Sequence, residues 1–133
     1  MDRHTLEELW RRKKAQTIRL MEVSDLTRQI LVAAERRDEV SVSMLLSMRE
    51  EPVNRAAAIE TECREYLLTL PREDAIRAAE LLNGAPPDNP DEIQLYEQLG
   101  QYRRLLESVV EMDRRLSLRM GGEHSFYKKF RPR

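Results

Sequence analysis

The sequence predicts an all-α fold: an elongated antiparallel bundle of three long helices plus one short connecting helix, with coiled-coil-like seams. Three observations carry that expectation. The chain has 133 residues, enough for one bundle domain rather than two cores. Its composition, 41% hydrophobic and 35% charged but only 5% aromatic, suits amphipathic helices and disfavours sandwiches and barrels. Along most of its length, apolar residues recur at alternating intervals of three and four.

Thr5-Leu6-Glu7-Glu8 has the form of a capping box, in which the threonine hydroxyl meets an orphan amide and Glu8 reaches back, so a first helix is expected to begin there. Residues 6–37 contain neither Gly nor Pro, and Leu9, Leu20, Val23, Thr27, Ile30 and Ala34 share one stripe. Lys13 and Gln16 fall on the same stripe. The core is therefore expected from about Leu20 onward, with the basic first turns projecting past the bundle or packing on another copy. Arg36-Arg37-Asp38-Glu39 reads as a tight corner, because cations suit a helix C-terminus and Asp38 is a good N-cap.

The second helix carries a heptad seam through Val42, Leu45, Arg49, Pro52, Ala56, Ile59, Cys63, Tyr66 and Leu70. Pro52 lacks an amide hydrogen and clashes with the preceding turn, which predicts a kink or interruption near residues 49–51. Residues 72–83 read as the short helix, with Gly84 as its C-terminal cap and a turn-rich loop over 84–90. Asn89, Pro90 and Glu92 then form a helix start, as N-cap, first and third positions. The last long helix has its seam at Leu95, Leu99, Tyr102, Leu106, Val109, Asp113, Leu116 and Met120 and is expected to stop at Gly121-Gly122. Residues 1–120 thus make a single helical bundle domain. Residues 121–133 make a basic, aromatic C-terminal tail containing Phe126, Tyr127 and Phe130.

The second and last long helices match in length, each about 43 Å at the helical rise. Laid antiparallel with Val42 against Met120 and Leu70 against Glu92, they bring Arg49 level with Asp113. A structural ion pair between these two seam charges is expected, fixing register more than adding stability.

Charge and chemistry narrow the function. With 23 Lys and Arg against 24 Asp and Glu, the net charge of -1 supplies no overall field to draw in nucleic acid or an anionic membrane. Arg11-Arg12-Lys13-Lys14 reads as a solvated helix face, not a nucleic-acid footprint, because base-stacking aromatics are not interleaved beyond Trp10. Cys63 is the single cysteine, and His4 and His124 lack ligand partners at short helical spacing, so no metal is expected. There is no phosphate loop, nucleophile elbow or paired His and acid, hence no expected catalytic residue or cofactor. Arg28, Arg49 and Arg103 could be imagined as the buried cations of a helical chorismate-mutase-like bundle, but their spacing does not reproduce that pattern. No apolar run approaches the roughly 20 residues needed to cross a bilayer, and no secretory signal is seen, which makes a cytoplasmic location the expectation.

Leu45, Leu46, Arg49 and Glu50, preceded by the corner residue Asp38, resemble the Leu-Leu-x-x-Arg-Glu-like stretch of the FlgN/FliT-type flagellar export chaperones; the resemblance covers mostly residues 20–70. It implies a cytoplasmic chaperone without turnover, which binds C-terminal helical segments of late flagellar type III substrates, such as hook-filament junction proteins, and presents them to the export gate. The contact surface expected on that basis is the last helix and tail: Tyr102, Leu106, Val109, Met112, Leu116, Met120, Phe126 and Tyr127. The seam turns several of these toward the other helices, so contact there requires an open groove or a rearranged bundle. Met44 and Met48 on the second helix, like Met112 and Met120, could line such a groove. The competing reading is a structural protein whose seams close on a second copy, a homodimeric scaffold without a client.

Overall fold

The computed structural model describes residues 1–120, and the calls on the tail, Phe126 and Tyr127 among them, lie outside these. Four α-helices follow one another: α1 Arg3–Glu35, α2 Glu39–Leu68, α3 Arg72–Leu82 and α4 Ile93–Arg119, with a 3-10 turn over Pro90–Glu92 leading into α4. No strand occurs among the described residues.

The start of α1 differs from the expected capping box. Asp2 is the N-cap, its carboxylate accepting from the Thr5 amide at 2.8 Å, and Thr5 is a buried residue of the first turn. The first turns do not project either. Leu6 and Leu9 are buried against Ala78 and Leu81 of α3 and Leu95 and Leu99 of α4, so the short helix closes that end of the bundle.

The corner between α1 and α2 closes as a Schellman motif, with the Asp38 amide donating to the Ala33 carbonyl and the Arg37 amide to Ala34. Arg37 holds the left-handed position at φ 56°, where a side chain costs what a glycine would not. Asp38 caps α2 through the Ser41 amide at 3.1 Å and hydroxyl at 2.6 Å. The same motif ends α3, this time with Gly84 at φ 101°. Pro52 does not interrupt α2: the helix runs on from Glu39 to Leu68, and the ring is buried on the seam. Packing along the seam outweighs the missing hydrogen bond to the preceding turn.

The long helices run up, down and up, because the apolar clusters join equivalent levels of each. One end holds Leu6, Leu9, Leu95 and Leu99, the middle Leu20, Val23, Val53, Ala56, Tyr102 and Val109, and the far end Ile30, Ala33, Val42, Leu45 and Leu116. The axial member is α1, whose backbone packs closely along both α2 and α4. By contrast, α2 and α4 are held together by side chains across a wider gap. At the start of α4, Asn89 makes no side-chain cap. Glu92 is instead drawn to Arg77 of α3, with contacts of 2.6 and 3.1 Å, and to the Asp88 amide at 2.9 Å. Arg77 also donates to the Pro86 carbonyl at 2.9 Å and so ties down the 84–90 loop.

Candidate functional site

Two polar layers separate the three apolar clusters. In the first, Lys13 is buried and its ammonium donates to Gln16 at 2.8 Å and to Glu60 at 3.2 Å. The Gln16 amide continues to Glu60 at 2.7 Å and to the Ala56 carbonyl at 3.1 Å, and Lys13 also sits 4.5 Å over the Tyr102 ring. Burial disfavours the Glu60 carboxylate, yet Lys13 and Gln16 outweigh it and hold its pKa below the ordinary value. Burial likewise pushes the Tyr102 phenol and the Cys63 thiol up, away from the ionised forms that a nucleophile or base would need.

In the second layer Arg49 Nη1 lies 3.1 Å from Asp113 Oδ1, with both residues buried, and 3.2 Å from the Thr27 hydroxyl. Thr17 and Thr27 serve the two layers alike. Each hydroxyl donates to the carbonyl one turn back, at 2.8 and 2.7 Å, which leaves its oxygen to accept from Gln98 and Arg49 respectively. Burial pulls the Arg49 pKa down and the Asp113 charge offsets part of that. These groups hydrogen-bond to one another across the helices, an arrangement that specifies register.

Helical geometry divides the Arg11-Arg12-Lys13-Lys14 run. Arg11 and Arg12 pair with Glu8 at 3.0 and 2.7 Å, Arg12 stacks 4.3 Å over Tyr66, and Lys13 turns inward. The expected solvated face is therefore corrected at Lys13, whose interior position was not legible from a run of like charges. Arg28 is exposed beside Asp25 at 3.2 Å, and Arg103 lies by Gly84, so Arg28, Arg49 and Arg103 do not converge. Among the described residues no three His, Cys, Asp or Glu side chains are placed to hold a metal ion, and no helix is long and apolar enough to cross a membrane.

On α4, Tyr102, Val109 and Leu116 are core residues, while Leu106, Met112 and Met120 are half-buried. The surface expected along this helix is thus largely turned inward. Exposed apolar side chains are scattered over the surface, Leu68 and Leu118 among them, but three fall in a row on the first half of α2. Val40, Met44 and Met48, four residues apart and on one face, are 82%, 56% and 53% exposed. Between them Ser43 and Ser47 are exposed as well, and residues 40–48 carry no charge at all in a chain that is 35% charged. Sequence reasoning noted Met44 and Met48 but missed Val40. The charge-free run was the available signal.

A cleft of about 600 Å³ opens at the same end of the bundle, between Ala34 and Arg37, Val42 and Leu46, and Arg119 and Met120. Val42 and Leu46 are each two residues from the stripe positions, about 200° round the helix, so cleft and stripe occupy opposite flanks of α2. A second cleft of about 480 Å³, at the other end, is rimmed by Arg3, Glu7, Arg11 and Asp91 around Trp10, a mixed-charge lining with no convergent set of donors or acceptors. No protein-family model, curated protein or solved structure matches this chain.

Proposed function

We propose that this chain is a helical binding protein of the flagellar export-chaperone kind, acting in the cytoplasm on an amphipathic helix near the C-terminus of a late export substrate. The observation that carries the proposal is the exposed Val40, Met44 and Met48 stripe. Thioethers adapt to varied apolar partners, and a row at helical spacing matches the apolar face of a docking helix. Capture keeps the substrate segment from assembling, and the free energy spent on ordering it leaves an affinity compatible with release. The buried ion pairs serve this role by holding the bundle in one register while a flank of α2 stays uncovered.

Light scattering tests the proposal on the purified chain, alone and mixed with C-terminal helical peptides of flagellar junction proteins. A 1:1 complex that Met44→Glu abolishes is the expected result. A tight homodimer indifferent to every peptide would overturn it and establish the self-associating scaffold.

A further inference from the structure

The two ends of the bundle are finished differently. At one end α3 lays Ala78 and Leu81 over Leu6, Leu9, Leu95 and Leu99. At the other, no such helix among the described residues covers the cluster of Ile30, Ala33, Val42, Leu45 and Leu116, and the cleft of about 600 Å³ opens there instead. Ala34, Leu46 and Met120 in its wall are left half-buried. Charge does not choose an occupant, because Arg37 and Arg119 line the cleft along with Asp38 and Glu39.

Position and side-chain chemistry do choose one. Met120 is at once a wall of the cleft and the residue from which residues 121–133 continue. That stretch holds Phe126, Tyr127 and Phe130, which include both phenylalanines of the chain. The other aromatic residues lie elsewhere: Trp10 and Tyr66 at the α3 end, Tyr96 in the first turn of α4 and Tyr102 in the middle cluster. The core beneath the cleft is therefore aliphatic throughout, and the rings that would fill it stand next in sequence. The six residues from Met120 to Phe126 span at most about 20 Å, enough to reach every part of the cleft. A tether this short holds the segment at an effective concentration of about millimolar, which a segment of another molecule would have to match.

We propose that the cleft is the seat of this chain's own residues 126–130, whose aromatic rings pack on Ala34, Val42, Leu46 and Met120 and close this end of the bundle as α3 closes the other. Gly121 and Gly122 supply the backbone freedom for the chain to turn back off the end of α4. The Val40, Met44 and Met48 stripe, on the opposite flank of α2, stays open, so this seat does not depend on the capture reading.

Ring currents give a specific readout, because no aromatic residue among the described ones belongs to the far-end cluster. In methyl NMR of the full chain, the Val42 and Leu46 methyls are expected upfield of their ordinary positions, independently of protein concentration. The shift is lost in Phe126→Leu/Tyr127→Leu/Phe130→Leu, whereas the Leu6 and Leu9 methyls stay where they are. Nuclear Overhauser contacts from the Leu46 methyls to the rings of residues 126–130 in the parent decide the matter even where the triple variant fails to fold. Unshifted methyls without such contacts, or a shift that the triple variant keeps, would overturn the proposal. A shift that fades on dilution would also overturn it and give the cleft to the tail of a second copy.

Discussion

Asp113→Ala removes a fully buried carboxylate from its place 3.1 Å from Arg49 Nη1. The guanidinium stays behind, itself buried, keeping the Thr27 hydroxyl at 3.2 Å but losing this ion pair. Breaking a buried pair by deleting one partner costs about 3–5 kcal/mol, a fifth or more of the roughly 5–15 kcal/mol stability of an ordinary domain. Unfolding entropy near 2.1 cal/mol/K per residue gives roughly 0.25 kcal/mol/K over about 120 residues, so the expected fall in Tm is about 12–20 °C. The double variant Arg49→Met/Asp113→Leu removes both charges and keeps the volume, and is expected within about 1 kcal/mol of the parent or above it. Thermal and urea unfolding followed by circular dichroism measure all three proteins. A fall below about 4 °C for Asp113→Ala would refute the desolvation argument. A double variant as unstable as the single would refute the claim that the pair's main office is register.

Glu60 has a folded pKa below its unfolded value, which is near 4.3, so its ionised form adds stability above that pH and the gain is lost as pH falls through the folded value. Glu60→Gln is therefore expected to lower the urea midpoint at pH 7 and to approach the parent near pH 3; an equal deficit at both pH values would contradict this. Arg37→Gly relieves the left-handed strain at the corner and is expected to gain about 1 kcal/mol, or about 4 °C in Tm, in a thermal melt. Arg77→Ala frees Glu92 and the Pro86 carbonyl together, so hydrogen exchange should quicken in α3 and the 84–90 loop while the amides of α1 and α2 keep their protection.

The long seams were legible because a heptad records both period and register, and the same arithmetic that pairs Val42 with Met120 places Arg49 opposite Asp113. The first turns of α1 were misjudged for a physical reason. Lys13 on a core stripe looks like the end of the core until its partners are known, and beyond Gln16 on the same helix these are Glu60 and Tyr102, from two other helices that local sequence does not connect. Asp2 went unnoticed as a cap because Thr5 offered an equally good pattern three residues on. Pro52 shows the opposite limit: the backbone penalty can be read from sequence, but the burial that overrides it cannot. The candidate site was half legible. Met44 and Met48 could be singled out, yet which flank of α2 would stay uncovered depended on α1 being the axial helix.

That axial role also sets an order of events in time. The contacts of α1 with α2 join neighbouring stretches of chain, whereas those with α4 close a loop of some eighty residues, as from Thr17 to Gln98. Local pairings form first and distant ones wait on loop closure, so a hairpin of α1 and α2 is the natural nucleus and α4 docks onto it. Lys13, Gln16 and Glu60 are already mutually satisfied in that hairpin, whereas Arg49 must wait for Asp113. Substitutions in the first polar layer should slow folding, and those at Asp113 should chiefly hasten unfolding. During synthesis α4 leaves the ribosome after α1 and α2, so the hairpin can form before Asp113 arrives beside Arg49 and the bundle locks.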